Sequence, residues 1–571
     1  MVPDAPIDGK LPSVKPEDRS GDFTFSRGSN LAATRINKDG LIEKGRENLL
    51  LQSNQFDTSW TDSGANVSLT SGQSGYDGSN GAWLLDLDYT GGDAYLRQEK
   101  SISGVNTFSI YAKAGTTDGI YIEFAAGNFP NIKADLSNGS LISSNGTIDT
   151  NIQSIGSGWY RVSLSVNQSL VRVNVRAVNA SGTNTTGNIL IQDAQLEQGL
   201  VATEYIETTT AAVQKGILEN LPRIDYSGGA SCPSLLLEPS RTNLVTLSEY
   251  PEGYAAAFRG SFNTNAAISP QGVQNASLFT EDTTSNNTHF YAVTSLNWVA
   301  GTTYTISVYA KSNGRSIVLA PGNPNVINFT TYFNLTTGEV GNSNASNASI
   351  ENVGNGWYRC SVTQTALTTS GTNILIPAWD EEEWNYIYTG NGVSGFYSYG
   401  HQLETGSYPT SYIPTYGSSV TRSAPFLSKH DLTDSSSQTL FIECGKTGYA
   451  GGGGEIIFEK TNPVAAIFRI YLEVDNSGTD NSKVRFRIES PATNNDYNLG
   501  NKDEYKKIAL SIDGDTAKFF GNGVLLGQFS VTSTVLEQLN VRMQSSKYST
   551  KQLILFPTAL TDDECIALTT I

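Results

Sequence analysis

The sequence is poor in several residue types. Met occurs twice, His three times and Cys four times in 571 residues, and charged residues make up only 16%. Such a chain lacks the material for long amphipathic helices. No stretch approaches the ~18 continuous apolar residues of a membrane-spanning helix. The opening, MVPDAPIDGKLPSVKPEDRS, has no basic start followed by an apolar run, so it does not read as a secretory signal peptide. Basic residues are outnumbered 55 to 37, giving a net charge of −18. This balance argues against a nucleic-acid partner, which needs a basic face, and against an electrostatic membrane anchor. It is read as a source of solubility. Cys232, Cys360, Cys444 and Cys565 follow no C-x-x-C spacing, which disfavours a zinc site or a disulfide scaffold. His289, His401 and His430 stand in separate contexts, without a second His at metal spacing or a nucleophile motif. The run GYAGGGGE lacks the Lys-Ser/Thr ending of a phosphate-binding loop and reads as a strand connection.

What remains is rich in Gly, Ser, Thr and Asn. Segments such as VRVNVRAV and KVRFRIE alternate with period two, as half-buried strands do. The chain also repeats itself. GSGWYRVSLSV begins at Gly156 and GNGWYRCSVTQ at Gly354, so Trp159 pairs with Trp357 at a spacing of 198. Upstream, TFSIYAKAG at Thr107 answers TYTISVYAKSN at Thr303. Further upstream, LIEKGRENLL answers LLLEPSRTNLV. Downstream, DAQLEQGLVATEYIETT answers GHQLETGSYPTSYIPTY at a spacing of 207, so the second copy has gained a net nine residues. Each copy is long enough for one antiparallel jelly-roll sandwich. In the W-Y-R strand, Tyr160, Val162, Leu164 and Val166 share the core face, and Arg161, Ser163 and Ser165 are expected on a wet one. Cys360 then falls on the inward side as a small buried apolar residue. Trp159 and Trp357 read as core or edge anchors.

From about Ser423 the pattern changes to longer apolar strands. An Asn522-Gly523 hairpin signal follows, and near the end Thr561 is the expected N-cap of a short helix. The fold class is all-β, three sandwiches in series after an extended N-terminal segment. The expected divisions are 1–40 extended, 41–210 repeat 1, 211–235 linker, 236–420 repeat 2 and 421–571 a third sandwich.

FSRGSNLAATRINKDGLIE, carried by Phe25, Ser26, Arg27, Ser29, Ala33, Thr34, Gly40, Leu41, Ile42 and Glu43, resembles the opening of tailed-bacteriophage virion proteins. RIDYSGGASCPSLLLEPSRTNL is similar to a second phrasing of that opening. The repeats resemble carbohydrate-binding-module jelly rolls. IALSIDGDTAKFFGNGVLLG and LILFPTALTDDECIALTT resemble the closing strands of a laminin-G or concanavalin-like domain. The resemblance implies a head or tail fibre, assembled in the host cytoplasm and carried on the virion. It implies a homo-oligomer, with a trimer favoured. Its N-terminus is then either a disordered tail or a peptide that docks on other virion proteins of the capsid or tail.

Site candidates follow from the remaining irregularities. The block AWDEEEWNYIYTG falls where repeat 2 has its extra residues. Trp379, Asp380, Glu381, Glu383, Trp384, Tyr386 and Tyr388 are the candidate ligand residues, since aromatic faces stack on sugar rings and acids accept hydroxyl hydrogen bonds. The alternative is a loop whose aromatics pack against the sandwich or a neighbouring subunit. Asp86, Asp88 and Asp193 are candidate ligands of a structural Ca²⁺, Asp193 because jelly-roll binding modules resembling this one carry an acid there. No other cofactor is expected. Glu43 with Arg46, and Glu238 with Arg241, are expected to pair and pin the start of each sandwich. No catalytic residue is assigned, and the chain is not expected to be an enzyme. The expected function is weak multivalent adhesion to cell-surface glycan, with no nucleic acid bound and no membrane insertion. A glycan depolymerase and a ligand-free capsid decoration protein are the alternatives.

Overall fold

The computed structural model describes residues 10–11, 23–28, 31–62, 66–125, 128–219, 221–227, 233–253, 256–294, 296–381, 385–430, 437–446, 455–461, 466–474, 481–489, 492–501, 505–530, 538–542 and 548–570. The described chain is almost entirely antiparallel β-structure, arranged as three sandwiches in series with one α-helix, Asp562–Thr569. Among the described residues no helix is long and apolar enough to cross a membrane.

Repeat 1 is two six-stranded sheets. One runs Asp149–Gly156, Trp159–Asn167, Val105–Ala114, Gly187–Gln198, Ala82–Leu87, Val67–Gln73. The other runs Ser140–Asn145, Asn131–Asp135, Gly119–Phe124, Leu170–Val178, Leu96–Ile102, Thr61–Asp62. Repeat 2 matches it strand for strand. Its first sheet runs Asn347–Gly354, Trp357–Thr365, Thr303–Asn313, Gly395–Thr405, Ala276–Glu281, Gly260–Ala267. Its second runs Glu339–Ser343, Thr331–Asn334, Ser316–Pro321, Ile374–Trp379, Phe290–Val293, Ala256–Phe258. Alternate residues of the facing strands interleave as the core. In repeat 1 these include Phe108, Ile110, Val162, Leu164, Ile120 and Val175, and in repeat 2 Ile306, Val308, Cys360, Val362, Ile317 and Ile376.

The repeated phrase is a hairpin and its core strand. Ser157 and Gly158, like Asn355 and Gly356, all have positive φ between paired Gly156–Trp159 and Gly354–Trp357. Two such residues make the turn whose twist matches flanking strands. Tyr160 then lies over Gly139, where an added Cβ would sit 2.4 Å from the ring, and Tyr358 lies over Gly338 at 2.7 Å. Trp159 and Trp357 are buried, as anchors.

One expectation fails on this strand. The face of Ser163, Ser165, Ser361 and Thr363 is not wet but buried. The chain returning from the last strand crosses it. Thr107 Oγ1 and Ser165 Oγ donate to the carbonyls of Gly199 and Leu200, and Thr305 Oγ1 donates to that of Gly406. Hydroxyls are retained there because they satisfy a backbone that would otherwise be buried unpaired.

The motif ion pairs also differ from expectation. Glu43 meets Arg35 at 2.9 Å, and Arg46 meets Glu204 at 3.5 Å. Glu238 meets Arg223 at 2.7 Å and Arg422 at 3.1 Å, while Arg241 lies 3.9 Å from Glu404. Residues three apart on an extended chain point to opposite faces, so each of the four reaches a different neighbour. The buried centre of each motif is instead its Asn. Asn48 donates to the carbonyls of Ala194 and Ile206 and accepts from the Leu196 amide. Asn243 donates to those of His401 and Ile413 and accepts from the Leu403 amide.

The third sandwich borrows strands from far upstream. Phe23–Ser26 pairs with Phe426–His430, and Ser234–Leu237 pairs with Tyr548–Phe556. Phe25, Ile224, Leu235 and Leu237 are buried in one core with Leu440, Ile508 and Phe519. The segment 1–40 is therefore not wholly an extended attachment arm, nor is 211–235 wholly a linker. Residues 1–9 and 12–22, where docking was expected, lie outside the described residues. Between the borrowed strands the hairpin of Thr34–Ile36 and Ile42–Lys44 packs on repeat 2, and Lys44 forms a buried ion pair with Glu249 at 2.8 Å. The helix begins at Thr561, whose hydroxyl and Glu564 make a reciprocal capping box.

Candidate functional site

The second sheet of each repeat turns one face to the core and one outward. The outward faces are equivalent in position and opposite in chemistry.

In repeat 2 the outward face is apolar. Phe258, Phe290 and Pro377 are paired in a row across three strands, and Val318 is paired with Tyr332 beyond them. Phe258 stacks on Phe290 at 4.7 Å. The inserted loop lies at the far end of this face. Trp379 is fully buried, edge-on to Tyr332 at 5.3 Å, and Tyr386 lies 5.9 Å from the same ring. Trp379 thus offers no face to a sugar, which corrects its reading as a ligand platform. It stands in the last position of a sheet strand, and the loop that follows folds back over it.

The described acids of the insertion, Asp380 and Glu381, are also engaged. Asp380 pairs with Arg315 at 3.2 Å. Glu381 accepts from the hydroxyls of Ser316 and Thr336. Tyr388 is buried, donates to Glu281 at 2.6 Å and carries Arg315 above its ring at 4.8 Å. Arg315 in turn forks Glu281 at 2.9 and 3.0 Å. Burial, with Glu281 adding to it, pushes the Tyr388 phenol well above its usual range. This constellation clamps a loop. Glu383 and Trp384 lie outside the described residues.

Two of the three candidate calcium acids are engaged elsewhere, and the third stands apart on its strand. Asp88 caps a short 3₁₀ turn, accepting from the Thr90 amide and the Thr186 hydroxyl. Asp193, at positive φ on a bulge, accepts from the Tyr76 hydroxyl at 2.8 Å. Burial raises its carboxyl to about 6. Asp86 stands half-buried on the Ala82–Leu87 strand, opposite Asn188. Among the described residues no group of three or more His, Cys, Asp or Glu side chains is placed to hold a metal ion.

The repeat 1 face is polar, aromatic and free of any insertion. Register places Thr61, Arg97, Asn174, Glu123 and Asn131 in one row, and Arg176, Tyr121, Lys133 and Ser143 in the next. The Arg176 guanidinium sits 4.7 Å from the Tyr95 ring and 5.4 Å from that of Tyr121, and it is paired with Asp93 and Glu123. Asn174 donates to Glu123 at 2.9 Å. Lys133 lies over Tyr121 at 4.8 Å, and Arg97 over Tyr95 at 5.8 Å. The guanidiniums stand over the phenol rings, with Asp93 and Glu99 half exposed and Glu123 largely buried beside them. Such a surface offers both flat apolar faces and planar hydrogen-bonding groups. The signal lay in VRVNVRAV, which sets Arg172, Asn174 and Arg176 on one side of a strand. Read only as strand periodicity, it pointed to no site.

No protein-family profile matches the chain, and no curated protein matches it. Among solved structures it is similar to the N-terminal CBM22-1–CBM22-2 tandem of Paenibacillus barcinonensis Xyn10C. That match has 12% identity and a TM-score of 0.20, over 66% of this chain and 98% of that one. It is similar to the laminin α2 LG1–3 region at 10% identity and a TM-score of 0.17, over 81% and 95%. It is also similar to the CBM40 of a Ruminococcus gnavus sialidase bound to α2,3-sialyllactose, at 15% identity and a TM-score of 0.18, over 24% and 83%. The sandwich architecture rests on the chain's own sheet order.

Proposed function

We propose that the protein is a non-enzymatic fibre of a tailed-phage virion that makes weak, multivalent contacts with surface glycans through the outward face of repeat 1. The observation that carries the glycan reading is the contrast between the two equivalent faces. Repeat 2 covers Trp379 beside its insertion and otherwise presents apolar Phe258 and Phe290, while repeat 1 sets half-buried Tyr95 and Tyr121 around Arg176, Glu123 and Asn174, which lie largely buried at the base of its outward face. Sugar rings present C–H faces to aromatic planes and paired hydroxyls to planar polar groups. The face carries Arg97, Lys133, Arg172 and Arg176 against Asp93, Glu99 and Glu123, so it is locally less acidic than a chain of net charge −18. Acidic polysaccharide is therefore not repelled there. The phage assignment rests on the FSRGSNLAATRINKDGLIE resemblance. Copies assembled as a homo-oligomer, a trimer being favoured, on capsid or tail proteins would raise avidity without new contacts.

The test is binding of the purified protein to intact host cells and to their extracted surface polysaccharide, with polymer length followed in parallel. Binding that weakens at least about tenfold in Tyr121→Ala, with polymer length unchanged, is expected. Folded protein that binds neither cells nor polysaccharide makes it a ligand-free decoration protein. Shortening of the polymer makes it a depolymerase.

A further inference from the structure

A cavity of about 370 Å³ opens where three parts of the chain meet. Its walls are the hairpin of Thr34–Ile36 and Ile42–Lys44, the strand end at Asp225 to Ser227, and the outer side of the first sheet of repeat 2. Volumes of this order hold a small ligand rather than a few waters. The walls carry charges of both signs, Arg359 and Arg35 (itself paired with Glu43) with Asp225 and Glu351. Arg359 and Glu351 are direct neighbours across the ladder, and Arg359 turns its Nη2 away to the Ser307 hydroxyl and the Thr410 carbonyl. The carboxylate of Glu351, the phenols of Tyr226 and Tyr309 and the Nε of buried Arg359 make no hydrogen bond among the described residues. Tyr309 lies beneath Arg359, 5.3 Å from the guanidinium.

Repeat 1 shows what such a Tyr–Arg pair accepts. There Arg161 lies 5.3 Å from the Tyr111 ring, and Tyr76 stacks on Tyr111 at 3.9 Å with planes 6° apart. The chain supplies its own six-membered ring, held by the Tyr76–Asp193 bond. Repeat 2 has Gly400 in place of Asp193, and no residue of the segment corresponding to Tyr76 lines the cavity.

We infer that this cavity is a second, distinct site that binds an uncharged mono- or disaccharide. An anion would meet Asp225 and Glu351, and a cation would meet Arg35 and Arg359. A hydroxyl both donates and accepts, so a polyol can satisfy an acceptor-only carboxylate, a donor-only guanidinium and two phenols together. The inference rests on the glycan reading of the protein, but not on the repeat 1 face.

The experiment is ligand-observed NMR and calorimetry with free glucose, galactose, N-acetylglucosamine and cellobiose on the full chain. Four proteins are compared: wild type, Glu351→Gln, Tyr226→Phe and Arg176→Ala. Glu351 is exposed and Tyr226→Phe keeps the ring, so both variants are expected to fold, which thermal unfolding verifies. At least one sugar is expected to bind, about tenfold more weakly in Glu351→Gln, as for loss of a hydrogen bond to a charged group. Affinity is expected to be unchanged in Arg176→Ala. Binding indifferent to Glu351 and Tyr226, or lost in Arg176→Ala, overturns the cavity site. Absence of sugar binding while polysaccharide binding persists overturns it too, and leaves the fibre reading standing.

Discussion

Asp193 and His401 occupy adjacent positions in the aligned repeats and oppose folding at different pH. The Asp193 carboxyl is raised by burial to about 6. Unfolded, it titrates near 3.9. As pH rises from about 4 to 6 the unfolded chain releases a proton that the folded chain keeps, so stability falls over that window. The His401 imidazole, held between the Tyr291 hydroxyl and the Ser248 carbonyl, is lowered by burial to about 4. As pH falls from about 6.5 to 4 the unfolded chain takes up a proton that the folded chain refuses, so stability falls with acid. The two repeats therefore answer mild acid with opposite sign. Asp193→Asn keeps an acceptor for Tyr76 and tolerates positive φ. It is expected to stabilise repeat 1 by up to about 2 kcal/mol at pH 7 and to change nothing at pH 3, as read by thermal unfolding at both pH values. At this scale the sequence was least legible. Trp379, Trp384 and the acids between them stood out by count, but whether a ring is covered depends on Tyr332 and Tyr386 across a sheet. Alternation within one strand cannot show that.

At the scale of elements, the duplicated phrases turned out to be one closed circuit made twice. Gln195 donates to Glu197, which accepts from the Thr203 amide, while the Ile206 amide returns to Gln195. Gln402, Glu404, Thr410 and Ile413 repeat the arrangement with bonds of 2.8, 2.8 and 2.7 Å. Asn48 and Asn243 tie each circuit to the start of its sandwich. Replacing Asn48 with Ala removes the side-chain partner of two carbonyls and two amides. A loss of about 2–4 kcal/mol is expected, with Asn243→Ala similar, by denaturant unfolding. The duplication, the all-β fold class and the short terminal helix were readable because each is a local pattern. The E-x-x-R pairing was misread because it was judged by spacing along the chain, while the partners Arg35, Glu204, Arg223, Arg422 and Glu404 lie elsewhere.

At the scale of the whole molecule, the third sandwich is not a detachable module. Phe25 and Leu235 enter its core from beyond repeat 2, and no local pattern could announce a strand pair spanning the chain. Phe25→Ala is expected to cost about 3–5 kcal/mol, lowering the unfolding temperature of the third sandwich and leaving the repeats unaffected. Hydrogen exchange resolved by segment reads the two separately. A fragment from 421 onward is expected to fail to fold alone for the same reason. The borrowed strand has a consequence during synthesis. Phe25 leaves the ribosome about 400 residues before Leu427, its partner. At about 5–20 residues per second that is a wait of roughly 20–80 s. Both repeats can close during this interval while the upstream edge stays unpaired. The strand FTFS, which carries Phe23 and Phe25, is thus left open to wrong partners, including the same strand on a neighbouring polysome product.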